Sequence, residues 1–369
     1  MKINGKHFRT IWVNPHDPTI VQAIDQRDCP HKFIIEDFKT PEDIITAIKD
    51  MHLRGAPLIG VAAAYGLYLA AIKVQKEKKS PNYIKDIANA LASSRPTAVN
   101  LFWVLKQMLD GLEKAKTSSE RSQLALLLAE KIANDEVERC RLIGEHGFKI
   151  IEAISKAKGR QVVNILTHCN AGWLACIDYG TATAPIYLAA ERQIDVHVWV
   201  DETRPRNQGA NLTAWELQEN NIPYTLIVDN AGGHLMQHEM VDCVIVGADR
   251  VTRWGDAANK IGTYLKALAA FDNHVPFYVA VPSSSIDFTL QNGIDEITIE
   301  ERSEDEVKFI HGLSEGEIKR VLICPEKARA LNVGFDVTPA RLISGLITER
   351  GLCMASEDSI ARLFPEYLK

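Results

Sequence analysis

The most constraining feature of this chain is a series of aliphatic runs that recur from residue 160 onward. The runs are Val162–Thr167, Val196–Val200, Tyr224–Val228, Cys243–Val246 and Phe277–Val281. They recur at intervals of about 20–35 residues, a spacing typical of parallel strands that alternate with helices. Because the runs are apolar on both faces, we expect strands that helices cover on each side.

The preceding half of the chain is predicted to be mostly helical. Short strands are expected at Phe8–Val13 and His31–Ile35. Thr40-Pro41-Glu42-Asp43 combines an N-cap residue with a proline and acids of a first turn, which predicts a helix start. Apolar residues at helical spacing predict further helices over 57–77, 82–93, 97–115 and 119–157.

Two domains are expected, because 369 residues exceed the size at which a single core stops growing. We place the boundary in the polar segment Lys156–Arg160. This gives a mainly α-helical domain with a small β element over 1–159, and a parallel-sheet α/β domain over 160–369. A long helix that simply ends at this segment is the alternative.

Composition and charge exclude several classes of protein. The chain is 46% hydrophobic and 24% charged, as in soluble globular proteins. Its net charge of −6 offers no attraction for nucleic acid or an anionic membrane. The N-terminus lacks the pattern of a secretory signal, so we expect a cytoplasmic protein. The apolar run Ala56–Val74 contains Pro57, Gly60 and Gly66, and is predicted to be a buried helix rather than a membrane span.

Cys169 stands out among the seven cysteines. Their number is odd and none are paired at metal-ligand spacing, so we expect reduced thiols and no metal site. Cys169 follows a predicted strand in Thr-His-Cys169-Asn-Ala-Gly172, ahead of a predicted helix. A helix N-terminus favours the thiolate and makes a cysteine reactive. A packed free cysteine is the alternative, and the polar neighbours favour function.

Asp249 ends the apolar run that starts at Cys243, in the motif Gly247-Ala-Asp249-Arg250. We expect its carboxyl to emerge at a hydrophobic strand end, where desolvation raises its pKa. An acid tuned in this way can both donate and accept a proton. An ion pair with Arg250 or a helix N-cap is the structural alternative.

Three basic motifs are suited to an anionic ligand. Asn259-Lys260 precedes residues that can begin a helix, and Arg54-Gly55-Ala56-Pro57 and Arg95-Pro96-Thr97 each precede a predicted helix. Free N–H groups at a helix start, beside a cation, bind phosphate. We predict that these motifs hold one phosphate from both sides of a cleft. The alternative for Lys260 is a solvated surface charge.

The segment Asp201–Gly209 follows the predicted strand at Val196–Val200 and is rich in polar side chains. Because ligands bind at the carboxyl ends of parallel strands, we predict that Gln208 reaches the site. The roles of Arg204 and Arg206 stay open, and an exposed loop is the alternative for the whole segment.

At these motifs the chain resembles the methylthioribose-1-phosphate isomerases. They belong to a larger family that includes the regulatory subunits of the guanine-exchange factor for eukaryotic translation initiation factor 2. The match runs from Arg54 through Arg95-Pro-Thr-Ala-Val-Asn100 to Phe335-Asp-Val-Thr-Pro339, nearly the whole chain. The resemblance implies a helical N-terminal domain, a Rossmann-like C-terminal domain and a homodimer. It also implies no nucleotide cofactor, and we find no Gly-x-Gly-x-x-Gly fingerprint after a strand.

The resemblance also assigns roles to individual residues. It implies that Cys169 and Asp249 are the catalytic pair. The substrate-binding positions of the family match Arg54, Gly55, Ala56, Arg95, Gln208, Asn259 and Lys260. The implied reaction is the aldose–ketose isomerisation of a small-molecule sugar phosphate, 5-methylthioribose 1-phosphate, to 5-methylthioribulose 1-phosphate in methionine salvage.

Some residues depart from the family pattern, among them Trp173, Asn230–His234 and Val251–Trp254. We predict that the Trp173 ring, next to the reactive thiol in sequence, shapes the pocket for the 5-substituent. The alternatives are an isomerase of 5-deoxyribose 1-phosphate or ribose 1,5-bisphosphate, and a non-catalytic regulatory subunit. A bisphosphate requires a second anion site. The presence of both Cys169 and Asp249 counts against the regulatory subunit.

Overall fold

The computed structural model describes residues 1–80, 82–95 and 98–368. Short strands come first: β1 (Lys2–Ile3), β2 (Lys6–His7), β3 (Ile11–Val13), β4 (Val21–Asp25) and β5 (Ile34–Phe38). Helices follow: α1 (Pro41–Lys49), α2 (Ala56–Glu77), α3 (Asn82–Ser94), α4 (Val99–Leu112) and α5 (Ser118–Ala157). The predicted helices are therefore present. Pro96 and Thr97 of the predicted phosphate motif lie outside the described residues.

The start of α1 forms as its sequence predicts. The backbone N–H of Asp43 donates to Thr40 Oγ1 at 3.2 Å, and the Asp43 carboxylate accepts from the backbone N–H of Thr40 at 2.9 Å. This reciprocal pairing is a capping box, which satisfies donors that the helix leaves unpaired. The helix then buries Ile44 and Ile48.

Helix α2 is the central helix of the N-terminal region. It is long and apolar enough to cross a membrane, but 89% of its apolar window is buried inside the protein. Gly60 lies where an added methyl group would be 3.2 Å from the carbonyl oxygen of Asn100, so its small size lets α4 approach closely. The prediction of a buried core helix is confirmed.

The C-terminal part alternates strands and helices. Its strands are β6 (Val163–Thr167), β7 (Val196–Asp201), β8 (Tyr224–Ile227), β9 (Cys243–Val246), β10 (Arg250–Thr252), β11 (Ala257–Lys260), β12 (Phe277–Ala280), β13 (Ile286–Asp287), β14 (Phe309–Ser314), β15 (Glu317–Leu322), β16 (Phe335–Thr338), β17 (Gly345–Thr348) and β18 (Gly351–Cys353). Its helices are α6 (Ala184–Glu191), α7 (Ala214–Glu219), α8 (Ala231–Gln237), α9 (Thr263–Asp272), α10 (Gly293–Glu296), α11 (Asp305–Lys308) and α12 (Glu357–Leu363).

The main sheet of the described chain has seven strands in the order β18-β17-β12-β9-β6-β7-β8. All neighbours are parallel except β17 and β18. All five predicted aliphatic runs form strands of this sheet, so the predicted α/β fold class is confirmed. Strand order reverses at β6, which lies between β7 and β9, and ligands bind at such switch points.

Three sequence predictions about strands differ from the structure. The first predicted strand is confined to Ile11–Val13, the second is shifted to Ile34–Phe38, and Val21–Asp25 between them was not predicted. Strand β8 is an edge strand whose central residues are exposed, so the expectation that helices cover every strand on both faces is wrong there.

A second sheet, ordered β13-β10-β11-β16, was not predicted at all. Its strands are two to four residues long, too short to carry an alternating pattern. The sheet nevertheless matters for the site. Asp249 immediately precedes β10, and Asn259 and Lys260 form the end of β11.

Candidate active site

Two loops at the switch point of the main sheet carry the predicted catalytic groups. Cys169 lies two residues beyond the end of β6, and Asp249 lies three residues beyond the end of β9. The loops are in contact, because a methyl group added at Gly247 would lie 2.5 Å from the Cβ atom of Ala171. Parallel neighbouring strands thus bring a thiol and a carboxyl together from distant parts of the sequence.

Cys169 has an unusual backbone conformation. Its φ of 67° lies in the left-handed region, which residues other than glycine seldom adopt and which clusters at functional sites. Side chains hold it there: its N–H donates to Thr203 Oγ1 at 2.8 Å, and its carbonyl accepts from Thr213 Oγ1 at 2.8 Å. The thiol donates to Gln208 Oε1 at 3.5 Å. Tertiary hydrogen bonds therefore aim the thiol.

The prediction that Cys169 lies at a helix N-terminus is wrong. A short 3₁₀ turn at Trp173–Ala175 follows it, and the next α-helix begins only at Ala184. Burial raises the pKa of the Cys169 thiol, while the charges of Arg54 and Lys260 lower it. The pKa is raised overall, and side-chain cations, rather than a helix dipole, offset part of that rise.

The environment of Asp249 agrees with its sequence prediction. Burial raises the pKa of its carboxyl, and the charges of Lys260, Arg95 and Arg54 lower it. Its backbone N–H donates to the Ala258 carbonyl at 2.9 Å. Within the described parts of the chain, no hydrogen bond reaches the carboxyl itself.

The predicted alternative for Asp249, an ion pair with Arg250, is not what the structure has. The Arg250 guanidinium lies 3.6 Å from the carboxylate of Asp287, on β13. Asp249 does not cap a helix either, since β10 begins at the next residue. Its carboxyl is therefore left facing the cleft beside it.

This cleft has a volume of about 460 Å³, counting the part open to solvent. Of the predicted site residues, Gly55, Ala56, Arg95 and Asp249 line it. Much of the remaining wall is apolar: Ile59, Ala98, Ala258, Ile297, Ile299 and Phe335. The cleft thus joins an acid and a cation to a hydrophobic surface.

Gly55 brings the start of α2 into this wall. Its φ is 108°, and a methyl group there would lie 2.4 Å from the backbone oxygen of Ala175, so only glycine fits. No side chain of the described residues caps α2 at this end. Its first N–H groups are therefore available to an anion.

The other predicted binding residues adjoin the cleft without lining it. Arg54 donates from Nη2 to the Asn170 carbonyl at 2.7 Å and from Nη1 to Asn170 Oδ1. Lys260 Nζ donates to the Gly334 carbonyl at 2.9 Å and lies 4.2 Å from the centre of the Phe335 ring, and burial lowers its pKa. Asn259 Nδ2 donates to Thr263 Oγ1 at 3.0 Å.

Arg95 differs from Arg54 in its partner. Its Nη2 lies 3.3 Å from the carboxylate of Glu300, in the segment that closes the apolar side of the cleft. Burial lowers the pKa of Arg95, and the charge of Glu300 raises it. The two arginines therefore reach the site from the helical region, each held by an acceptor of the sheet region.

Comparison with known proteins assigns the family. The sequence profile of the initiation factor 2 subunit family matches residues 52–355. The chain belongs to this family. Among similar proteins, the methylthioribose-1-phosphate isomerase of Desulfatibacillum aliphaticivorans is 56% identical, with 100% of both chains covered. That of Sinorhizobium medicae is 54% identical, covering 99% of this chain and 100% of the relative.

Solved structures of the initiation factor 2 subunit family agree. The crystal structure of 5-methylthioribose 1-phosphate isomerase from Pyrococcus horikoshii OT3 has a TM-score of 0.83 at 37% identity, covering 98% of this chain and 97% of that one. The translation initiation factor eIF-2B, subunit delta, from A. fulgidus has a TM-score of 0.79 at 36% identity, covering 97% and 100%. The fold is thus shared by proteins of both descriptions.

Sequence reasoning missed several residues that build this family member's site. Thr203, Thr213 and Asn170 hold the Cys169 loop, and Glu300 holds Arg95. Glu216, which accepts from Asn170, has a visible sequence signal, because it is the one charged residue in the stretch Leu212–Leu217. The others carry no such signal.

The prediction for Trp173 is wrong. Its side chain is fully buried in the hydrophobic core, with its ring centre 6.5 Å from that of Trp215, and it does not line the cleft. Arg204 and Arg206, whose roles the sequence left open, both hold the start of the β14–β15 hairpin region. Arg204 donates to the Val307 carbonyl at 2.7 Å, and Arg206 lies 3.0 Å from the Glu306 carboxylate.

A buried cluster of His168, Asp201 and Lys266 lies next to the Cys169 loop. His168 Nδ1 lies 2.7 Å from Asp201, its Nε2 lies 2.9 Å from the Ile261 carbonyl, and Lys266 Nζ lies 3.1 Å from Asp201. His168, Asp201 and Asp229 have ligand atoms close enough for a metal ion. The Lys266 ammonium pairs with Asp201, so the group ties the ends of β6 and β7 to α9.

Proposed function

We propose that this protein is an aldose–ketose isomerase that converts 5-methylthioribose 1-phosphate to 5-methylthioribulose 1-phosphate in methionine salvage. Full-length relatives named methylthioribose-1-phosphate isomerase, 56% and 54% identical, support the reaction. The observation that carries the proposal is the meeting of Cys169 and Asp249 at the switch point. The negative charge of Asp249 contributes to the raised pKa of Cys169, and both groups respond to Lys260.

The phosphate binds, in this proposal, where cations and open N–H groups converge. Arg54 supplies a guanidinium, and the start of α2 at Gly55 and Ala56 supplies backbone donors. Arg95 and Lys260 complete the positive field, since both contribute to the electrostatics of Asp249. Gln208 and Asn259 are proposed to hold sugar hydroxyls, since an amide offers both donors and an acceptor.

The first chemical step requires an acid, because the substrate ring does not open by itself. A phosphate on the anomeric oxygen prevents the ring from opening to a free aldehyde, so the ring oxygen must first be protonated. We assign that proton to Asp249, because a buried carboxyl with a raised pKa is protonated more readily than an exposed one. The lack of hydrogen bonds to this carboxyl, among the described residues, leaves its proton available to the substrate.

Hydrogen must then move from C2 to C1. We propose that Cys169 removes the C2 proton as a base and then, as the thiol, gives a proton to C1 of the enediol-like intermediate, while the C2 hydroxyl gives its proton to the Asp249 carboxylate. Burial raises the pKa of the Cys169 thiol overall, and the charges of Arg54 and Lys260 offset part of the cost of the thiolate that this requires. A hydride shift from C2 to C1 is the alternative route. Deuterium at C1 after many turnovers in D2O supports the base, whereas a product without deuterium favours the hydride shift.

The wall of the cleft supports a methylthio group as the 5-substituent. Ile59, Ile297, Ile299 and Phe335 offer an apolar surface, whereas a 5-phosphate requires a second cluster of donors. Turnover should be measured side by side on 5-methylthioribose, 5-deoxyribose and ribose 1-phosphates and on ribose 1,5-bisphosphate. The methylthio substrate should have the highest kcat/KM, because burying the methylthio group adds hydrophobic binding energy. A higher value for the bisphosphate would overturn the assignment.

A non-catalytic regulatory subunit is the second candidate, favoured by the likeness to the eIF-2B delta subunit structure. Cys169 and Asp249 count against it, because a binding subunit has no need of a strained thiol beside a desolvated acid. The same assay separates the two. Absence of turnover on every pentose 1-phosphate by correctly folded protein would favour the regulatory subunit.

We further propose that the enzyme is a cytoplasmic homodimer that needs no cofactor, metal, nucleic acid or membrane. The family resemblance supports the dimer, and the net charge of −6 supports the absence of nucleic acid. We also propose that the chain consists of two domains, residues 1–159 and 160–369. Analytical ultracentrifugation should give the mass of two chains, and a single-chain mass would contradict the dimer.

A further inference from the structure

Glu216, on α7, is a fully buried carboxyl to which the reaction assigns no role. It accepts hydrogen bonds from Asn170 Nδ2 at 2.9 Å, Leu174 N at 3.0 Å, Trp173 N at 3.1 Å and Tyr187 Oη at 3.3 Å. A carboxylate offers acceptors only, so every one of these groups must donate. No lysine or arginine of the described residues forms an ion pair with it.

These hydrogen bonds fix the orientation of Asn170. Its amide Nδ2 donates to Glu216 and, at 3.1 Å, to Thr213 Oγ1. The amide oxygen therefore points the other way and accepts from Arg54 Nη1, beside the backbone carbonyl that accepts from Nη2. If the amide were reversed, its NH₂ group would oppose the guanidinium, and two sets of donors would face each other.

The same carboxyl fixes the loop that carries the thiol. A methyl group added at Gly172 would lie 1.7 Å from Glu216 Oε2, so loop and carboxylate are in direct contact. Thr213 accepts from Asn170 and also donates to the Cys169 carbonyl. Glu216 therefore reaches the Arg54 guanidinium through Asn170 on one side and lies against the loop that carries Cys169 on the other.

We propose that Glu216 is a positioning residue that, through Asn170, aims the Arg54 guanidinium at the substrate phosphate. The chain of contacts runs Glu216–Asn170–Arg54 and needs an acceptor at its buried end and a donor–acceptor amide in the middle. The inference rests on the proposed function for the identity of the substrate, but its geometry concerns anion binding alone.

The environment of Glu216 indicates why a carboxylate is retained there. Burial raises the pKa of Glu216 to about 7, while the hydrogen bonds from Asn170 and Leu174 lower it. A glutamine has nearly the same shape and carries no charge to desolvate. Glutamine, however, places an NH₂ group against donors, so the site needs the two acceptor oxygens that only the carboxylate supplies.

The test is E216Q, with N170D and the double variant E216Q/N170D. The readout is the affinity for inorganic phosphate, measured by calorimetry, together with kcat and KM wherever turnover occurs. E216Q should weaken phosphate binding about tenfold and raise KM more than it lowers kcat, because hydrogen bonds to charged groups contribute on this scale. N170D alone should also weaken binding, since it sets two carboxylates against each other.

The double variant is the decisive arm. The amide NH₂ introduced at position 216 can donate to the carboxylate introduced at position 170, which still accepts from Arg54. Phosphate affinity should therefore exceed that of either single variant, although recovery stays partial because the Leu174 N–H still faces the introduced NH₂ group. E136Q, which alters another buried carboxyl paired with Arg139, is the control and should leave phosphate affinity unchanged.

Several outcomes would overturn the proposal. One is unchanged phosphate affinity in folded E216Q, and another is a double variant that binds no better than either single one. If E216Q does not fold, N170A leaves the buried carboxylate in place and removes the relay, and unchanged phosphate affinity in N170A overturns it equally. Failure of the proposed function would appear differently, as absence of turnover in the unchanged protein while these phosphate affinities still change.

Discussion

The loops that carry Cys169 and Asp249 are held in opposite ways. The Cys169 loop is fixed through side chains: Thr203 and Thr213 bind its backbone in a left-handed conformation. The Asp249 loop is fixed through its backbone, by the N–H bond to Ala258 at the start of the β10–β11 pair, and its carboxyl has no partner among the described residues. Burial raises the pKa of both groups, but side-chain hydrogen bonds aim only the thiol.

This difference suits the chemistry assigned to each group. A base that removes a weakly acidic C–H proton must be held at the correct distance and angle, and a strained backbone with many tertiary bonds holds it there. A general acid must hold its proton until the substrate takes it. Burial raises the pKa of the Asp249 carboxyl, and this keeps the carboxyl protonated more readily. The two loops therefore predict different responses to substitution.

Among substitutions outside the catalytic pair, the largest effect is expected at Gly172, where the Cys169 loop meets Glu216. G172A places a methyl group 1.7 Å from one oxygen of a carboxylate that four hydrogen bonds hold, so the loop or those bonds must give way. We expect the free energy of unfolding to fall by at least about 3 kcal/mol. Turnover should fall more than about tenfold as the thiol moves.

Urea denaturation of purified G172A checks this prediction. G312A is the control, because a methyl group added at Gly312 meets nothing within 4 Å. It should change the free energy of unfolding by less than about 0.5 kcal/mol. Equal stability of both variants would mean that the loop is not clamped as we describe.

A smaller effect is expected from T213V, which keeps the side-chain shape and removes the hydroxyl. The Cys169 carbonyl and Asn170 Nδ2 each lose a partner. We expect a loss of about 1–2 kcal/mol in the free energy of unfolding and a fall of about tenfold in kcat. Thermal denaturation and initial rates measure both, with T225V on the exposed edge strand as control. An unchanged kcat in T213V would break the link between the clamp and the thiol.

The smallest effect is expected from E300Q, which changes the electrostatic environment of Asp249 on the other loop. Burial is the main reason that the pKa of Asp249 is raised, and the negative charge of Glu300 adds to it. Removing that charge lowers the pKa of Asp249. Because the acid acts while protonated, activity is lost as pH rises through this pKa, so the alkaline loss of kcat/KM should move to lower pH.

The maximum rate of E300Q should stay within about fivefold, since a partly exposed ion pair contributes about 0.2–1 kcal/mol. The pH profile of kcat/KM measures the shift, and E301Q, which alters an exposed neighbour, should leave it in place. A shift to higher pH in E300Q would contradict the electrostatic description of Asp249.

The two loops also differ in how much of their structure could be predicted from the sequence alone. The strands before Cys169 and Asp249 carry long aliphatic runs, so their ends and the rise in the pKa of Asp249 were predictable. The Cys169 environment was not. Its predicted helix is a 3₁₀ turn, and Trp173 turns into the core, because both depend on hydrogen bonds from residues about 30–45 positions away that leave no periodic signal.

The clamp residues illustrate the same limit. Thr203 lies in a loop and Thr213 in a helical turn before α7, and only their distance to the Cys169 backbone reveals their role. The short second sheet likewise escaped prediction, although it carries Asn259 and Lys260. Local patterns predicted the frame of the site, and tertiary contacts decided its geometry.

The most direct test of the account is the turnover of D249N on 5-methylthioribose 1-phosphate. The asparagine keeps the size of the side chain and removes the acidic proton. We predict that kcat falls on the order of a hundredfold or more, the scale of a general acid, while inorganic phosphate still binds. Near-normal turnover in D249N would contradict the claim that a desolvated carboxyl drives this reaction.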